Sequence, residues 1–199
     1  MNKNVPNIIT LSRVVLTPLM IVFFMLPIAN GIGKFIAFGI YVVGSLTDAV
    51  DGHLARKYNL VSNIGKMLDA IADKFIQTSA IILVLVLSDV LPAWACATLL
   101  LIIILRDIYI NAVRQICLTN GVTVPADFLG KLKSIFIDVA TSILMFYIAL
   151  NEVVASNIVS YIMICGISFL VVGVALSVIS CVNYTISSWA GITGKTTKE

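Results

Sequence analysis

The chain has 199 residues, 60% of them hydrophobic and 12% charged, with a mean hydropathy of +1.07 and a formal net charge of +3. These values exclude a water-soluble globular enzyme and a disordered chain, since the apolar residues arrive in blocks of bilayer length. So small a positive balance gives no reason to expect a nucleic-acid partner. In chain order, the first apolar block runs from about Ile8 to Ile28 and stops at the turn signal Asn30-Gly31-Ile32-Gly33. The second starts near Phe35, stays apolar to Leu46, and continues as a polar helix through Thr47, Asp48, Asp51 and Arg56. The third carries Asp69, Asp73 and Lys74 in its first turns and is then apolar to Leu87. The fourth begins after Pro92, runs through Leu105 and meets Arg106, Asp107 and Arg114. The fifth spans about Phe128 to Leu150, and the sixth Ile158 to about Val182.

Six such blocks predict an all-α polytopic membrane protein with six transmembrane helices. Their short connections leave no room for a soluble domain, so residues 1–199 are expected to form one membrane domain. The first block follows a short basic start, yet Arg13 lies well inside it and no small-residue cleavage site precedes a soluble region, so it is expected to be a span rather than a secretory signal. If the spans alternate, only Lys34 of the 13 Lys and Arg falls on one side of the membrane. The positive-inside rule then makes the other side, with both termini, cytoplasmic. Cys96, Cys117, Cys165 and Cys181 lie in or at the ends of apolar blocks without the spacing of a zinc site or disulfide framework, and are expected to be small membrane-core side chains.

An ionised residue at the centre of a spanning helix costs roughly 2.5 to 3.5 kcal/mol, so clustered intramembrane carboxylates point to function. Asp48 and Asp51 share a helical face with Ala55, beside Gly52, while Gly65, Asp69 and Asp73 share another at a spacing of four. The short link from Lys57 to Ile64 aims the two faces at each other. Four converging carboxylates repel unless a cation lies among them. Oxygen-only ligands favour Mg2+, with Mn2+ as a substitute, and four carboxylates suffice for two ions clamping a phosphoryl group. An ion-coupled transporter is the competing reading. The small residues Gly52 and Ala55, the planar fork of Arg56, and the lack of paired interrupted helices all weigh against it.

The segment from Asp48 to Asp73 fits D-x-x-D-G-x-x-A-R-x8-G-x3-D-x3-D without deviation, and so resembles the CDP-alcohol phosphatidyltransferase family. Eight fixed positions at roughly 5% usage each give a chance match on the order of 10^-10 per start position. The family's six-helix membrane architecture agrees with the span count. The resemblance implies that Asp48, Asp51 and Asp69 bind a pair of Mg2+ ions, and that Asp73 both contacts metal and takes the proton from the acceptor alcohol. It also implies that Gly52 and Ala55 admit the cytidine of CDP-diacylglycerol, that Arg56 holds the diphosphate, and that Ser62 contributes to the same site. A homodimer in a lipid bilayer is a further family expectation.

The family pattern leaves the acceptor open. The opening Val5-Pro6-Asn7-Ile8-Ile9-Thr10-Leu11-Ser12-Arg13, the stretch Leu105 to Arg114 and Gly130-Lys131-Leu132-Lys133-Ser134 look like bacterial members that make phosphatidylglycerophosphate. Asp107 departs from that likeness, standing where a glutamate is expected. Glycerol 3-phosphate is therefore the expected acceptor, with phosphatidylglycerol, serine or an inositol phosphate as alternatives. Arg106, Arg114, Lys131 and Lys133, at the cytoplasmic ends of the fourth and fifth spans, would receive its phosphate. Arg106 and Arg114, eight apart, are expected on one face, and Lys133 is divided between pocket and surface. Asn7, Thr10 and Arg13 share a face that would hold the diphosphate or lipid headgroup, with a plain interfacial helix as the alternative. Asp138 is expected to pair with a basic residue, and Gly39, Gly44, Gly166 and Gly173 to mark close helix packing. The likeness implies a bacterial cell membrane, with the active site facing the cytoplasm.

Overall fold

The structure, a computed structural model, describes residues 5–28, 31–57, 63–122, 128–154 and 157–193, with side chains described outside 5–9, 48–57, 63, 64, 66 and 190. Its described residues are all helical or in short connections: α1 (Val5–Met25), α2 (Ile32–Lys57), α3 (Asn63–Val86), α4 (Ala93–Thr119), α5 (Phe128–Asn151), α6 (Asn157–Ser187) and the single turn α7 (Trp189–Ile192). In hydrocarbon every backbone group must find its partner within the protein, and a helix does this within one segment. Among the described residues α4, α5 and α6 are long and apolar enough to cross a membrane, while α1 and α2 hold shorter apolar stretches, Thr10–Met25 and Ile32–Thr47. The polar end of α2 and the charged first turns of α3 shorten the apolar part of each. Thirty-one residues give α6 a length of about 46 Å, close to a bilayer with its headgroups at roughly 40–45 Å. Exposed Tyr161 and Trp189 mark its two ends, and exposed Trp94 and Phe128 open α4 and α5. Aromatic rings collect at both membrane interfaces in this way.

The helices pack as an up-and-down bundle in which α5 against α6 is the most extensive pairing, followed by α1 against α2 and α3. Met20, Tyr41, Ile81, Ile137, Leu144, Met145 and Leu170 fill the interior. Leu101, Leu105, Val171, Val178 and Ile179 point outward, as expected where the surroundings are lipid. The α5–α6 approach depends on absent side chains. A Cβ at Gly166 would lie 2.7 Å from Leu144 Cδ2, and one at Gly173 would lie 2.9 Å from Ile137 Cγ1. Gly44 likewise gives way to Ile76 between α2 and α3. Gly39 does not follow this pattern, because a Cβ there would meet nothing within 4 Å. Cys165 also departs from the core reading: it is exposed, whereas Cys96 and Cys117 are buried.

Gly31, with φ of 70°, turns the chain between α1 and α2 in a conformation that L side chains rarely adopt. At that end of the bundle Lys34 of α2 pairs with Glu152, just after α5, and lies 5.8 Å from the centre of the Phe24 ring. The remaining ionic chemistry gathers at the opposite end.

Candidate functional site

The contact of Gly44 with Ile76 sets the register of α2 and α3, whose chain directions oppose each other. From Gly44, Asp48 and Asp51 lie four and seven residues on, or roughly 6 and 10 Å along α2. From Ile76, Asp73 and Asp69 lie three and seven residues back, or roughly 4.5 and 10 Å along α3. At 100° per residue all four positions stay within about 60° of the contact line on their own helix. On α3 this spacing keeps Asp69 and Asp73 on the side of Ile76, while Asp48 and Asp51 lie on α2 beyond Gly44 with side chains outside those described. α2 also carries the backbone of Gly52, Ala55 and Arg56, whose side-chain positions lie outside those described, as do Ser62 and the side chain of Asn7.

Arg13 ties α1 to this place. Its side chain is wholly buried, and Nη2 donates to Asp69 Oδ1 at 2.7 Å, while the Asp69 side chain remains 43% exposed. The Arg13 carbonyl accepts a bond from Thr17 Oγ1 at 2.9 Å, and Thr10, one turn before, is buried too. Thr10 and Arg13 therefore face the bundle, unlike residues of a helix lying flat on a membrane surface.

A second cluster lies beside the first, because Lys74 follows Asp73 on α3. The Asp107 carboxylate of α4 receives Lys74 Nζ at 2.7 Å on Oδ2, and on Oδ1 it receives Lys133 Nζ of α5 at 2.6 Å and Arg106 Nη1 at 3.1 Å. Lys74 also donates to Gln77 Oε1 at 3.2 Å, and Arg106 Nη2 reaches Ser180 Oγ of α6 at 2.8 Å. Gly130 lies beside the guanidinium, where a Cβ would make ordinary contact at 3.4 Å from Arg106 Nη2. Three helices are joined at one carboxylate, and Arg106 extends the cluster to α6. A cavity of about 220 Å³ adjoins it, with Lys74, Gln77, Asp107 and Asn111 at its polar part and Ile81, Ile103, Ile104 and Ile137 among its apolar walls.

Of the four bases read from the sequence, the structure brings Arg106 and Lys133 together and leaves Arg114 and Lys131 exposed. Arg114 does not share the face of Arg106. Eight residues are 2.2 turns, so the second arginine is rotated by about 80° and points outward. Lys133 is 3% exposed, which decides between pocket and surface. Lys74 and Gln77 were not foreseen. The available signal was a lysine and a glutamine in an otherwise apolar span, which call for partners. Asp138 accepts bonds from Gln77 Nε2 at 2.5 Å and Tyr41 OH at 3.2 Å, neither of them basic. That junction links α2, α3 and α5 just inside the ionic layer.

Among the described side chains no three His, Cys, Asp or Glu form a metal-binding group. The donor chemistry nevertheless fits a hard cation. Four carboxylate positions on facing helices, one of them with a partly exposed and oriented carboxylate, offer the oxygen ligands that Mg2+ takes.

An all-helical membrane protein with a partly buried cluster of Lys74, Arg106, Asp107 and Lys133 beside the aspartates of α3 is thereby defined. Residues 3–179 match the CDP-alcohol phosphatidyltransferase family, and the chain belongs to that family. Among its relatives is a CDP-diacylglycerol–glycerol-3-phosphate 3-phosphatidyltransferase from Bacillus subtilis, 34% identical over 154 residues, or 72% of this chain and 77% of the relative. Another of the same name, from Rickettsia bellii, is 36% identical over 148 residues, covering 72% and 76%.

Proposed function

We propose that this protein is a CDP-diacylglycerol-dependent phosphatidyltransferase that uses glycerol 3-phosphate as acceptor and yields phosphatidylglycerophosphate and CMP. The observation that carries the reading is the adjacency of two charge layers. Asp73 of the motif directly precedes Lys74 on α3, and Lys74 joins Arg106 and Lys133 in a cluster suited to a phosphate-bearing acceptor. The names of the relatives from Bacillus subtilis and Rickettsia bellii support the same acceptor.

In this reading Asp73 accepts the proton of the glycerol 3-phosphate hydroxyl as its oxygen attacks the phosphorus that bears diacylglycerol. The bond from that phosphorus to the bridging oxygen of the diphosphate breaks, and CMP leaves with the electron pair. Asp48, Asp51, Asp69 and Asp73 would hold two Mg2+ ions, which supply charge neutralisation at the diphosphate. Arg56 holds the same diphosphate, with Gly52 and Ala55 admitting the cytidine and Ser62, Asn7 and Thr10 completing the donor site. Arg13 orients Asp69. Arg114 and Lys131, both exposed, attract the anionic acceptor toward Arg106 and Lys133.

The same reading places six spans across a bacterial cell membrane, with both termini and the active site on the cytoplasmic side and residues 1–199 acting as one domain, paired as a homodimer. The bias of Lys and Arg to one side supports the orientation. The test supplies purified protein with CDP-diacylglycerol and Mg2+, then offers glycerol 3-phosphate, phosphatidylglycerol, serine and an inositol phosphate in turn. CMP release with glycerol 3-phosphate alone is expected. Release with another acceptor only, or with none, refutes the assignment.

A further inference from the structure

Asp107 is an unusual member of a site meant to bind an anion. A carboxylate inside a phosphate pocket repels its ligand, so its presence needs a reason. Its side chain is 17% exposed and is met by three cations from three helices: Lys74 of α3, Arg106 of α4 and Lys133 of α5. Lys133 is 3% exposed and Arg106 is 11% exposed. Two cations this little exposed, with Lys74 at 42% exposure beside them, cannot stay close together without an anion among them. Asp107 uses one donor of each, and lysine carries three donors and arginine five. Arg106 Nε is buried without a partner among the described residues.

We propose that Asp107 is a positioning residue for the acceptor phosphate, and that Lys74 is a further phosphate-binding residue beside Arg106 and Lys133. The proposal rests on the phosphatidyl-transfer reading and deepens it. Three cations and one carboxylate leave the cluster at +2. A phosphate monoester carries about −1.5 to −2 at neutral pH. The cluster thus matches a phosphomonoester, while a phosphodiester lipid carries a single charge and serine no net charge. Selection for a phosphomonoester follows from the charge balance, with the carboxylate holding the three cations at fixed points before the acceptor arrives. A cavity of about 220 Å³ opens against Lys74 and Asp107, and Arg106 and Lys133 reach the same carboxylate from outside its lining. Lys74 adjoins Asp73 in sequence, so an acceptor phosphate held there keeps the rest of the molecule near the proposed base.

The experiment compares the full chain with Asp107→Asn, Asp107→Glu and Lys74→Met in mixed micelles. It measures the KM of each substrate, kcat, and the rise in unfolding temperature caused by glycerol 3-phosphate alone. Asp107→Asn should raise the KM for glycerol 3-phosphate at least tenfold, keep kcat and the KM for CDP-diacylglycerol within about threefold, and lose the thermal shift. Asp107→Glu, which keeps the charge, should recover most of both. Lys74→Met should raise the same KM at least fivefold. An unchanged KM and thermal shift in Asp107→Asn overturns the proposal, as does a loss confined to kcat. If Asp107→Asn does not fold, an unchanged acceptor KM in Lys74→Met overturns it. A wild-type protein that releases no CMP with glycerol 3-phosphate defeats the underlying reading instead, and is thereby told apart.

Discussion

The ion pair between Arg13 and Asp69 makes an unequal prediction for its two partners. Arg13 is wholly buried and Asp69 is 43% exposed, at an N–O distance of 2.7 Å. Asp69→Asn takes the carboxylate charge at 2.7 Å away from a buried guanidinium, and loss of one partner from a buried pair costs roughly 3–5 kcal/mol. Arg13→Met keeps most of the apolar stem and leaves a carboxylate that water can reach, so its cost should approach the value of about 0–1 kcal/mol typical of exposed pairs. We expect about 3 kcal/mol for the first and about 1 kcal/mol for the second. At roughly 2–4 °C per kcal/mol for a chain of this size, the unfolding temperature should fall by about 6–12 °C and about 2–4 °C respectively. The double variant should resemble Arg13→Met, giving a coupling energy of about 3 kcal/mol. Unfolding of the four proteins in one detergent, read as a double-mutant cycle, cancels whatever each side chain does elsewhere. Additivity within about 0.5 kcal/mol, or a larger loss from Arg13→Met than from Asp69→Asn, would show that the pair does not hold α1 to α3.

Gly173→Ala should destabilise by about 1–3 kcal/mol through overpacking against Ile137, whereas Gly39→Ala should be neutral or stabilising by up to about 1 kcal/mol, since its Cβ enters open space. Thermal unfolding of the two variants side by side checks this contrast. Tyr41→Phe removes one hydrogen bond to Asp138 at a buried position and should cost about 1 kcal/mol, measured by the same melt with activity retained. Chelation with EDTA should abolish CMP release, and added Mg2+ should restore it in full; turnover that survives chelation contradicts a metal-dependent reaction.

The parts legible in the sequence were those written in local spacing. The six apolar blocks correspond to six long helices because hydrophobic length and helix length are the same quantity in a bilayer, although among the described residues only α4, α5 and α6 hold an apolar stretch long enough to cross it. The aspartate motif was readable because spacings of three and four put residues on one helical face without any knowledge of tertiary contacts. Asp107 was visible only as a departure from a familiar pattern. Its partners Lys74 and Lys133 are 33 and 26 residues away, and no periodicity relates positions on different helices. The pairing of Arg106 with Arg114 failed for a geometric reason, because a spacing of eight accumulates an 80° error that three or four does not. Gly39 and Gly166 look alike in sequence, and only the neighbouring helix distinguishes a packing contact from open space. The pocket side of Lys133 became clear in the same way, through the carboxylate that α4 brings to it.

Initial-rate CMP release from CDP-diacylglycerol and glycerol 3-phosphate, with Mg2+ and saturating substrates, tests the central claim most directly when wild type and Asp73→Asn are compared. The wild type should form one phosphatidylglycerophosphate per CMP. Loss of the proposed base should lower kcat by roughly 10²–10⁴-fold while the variant still melts cooperatively. Wild-type turnover in Asp73→Asn, or no CMP from the folded wild type, would contradict the account.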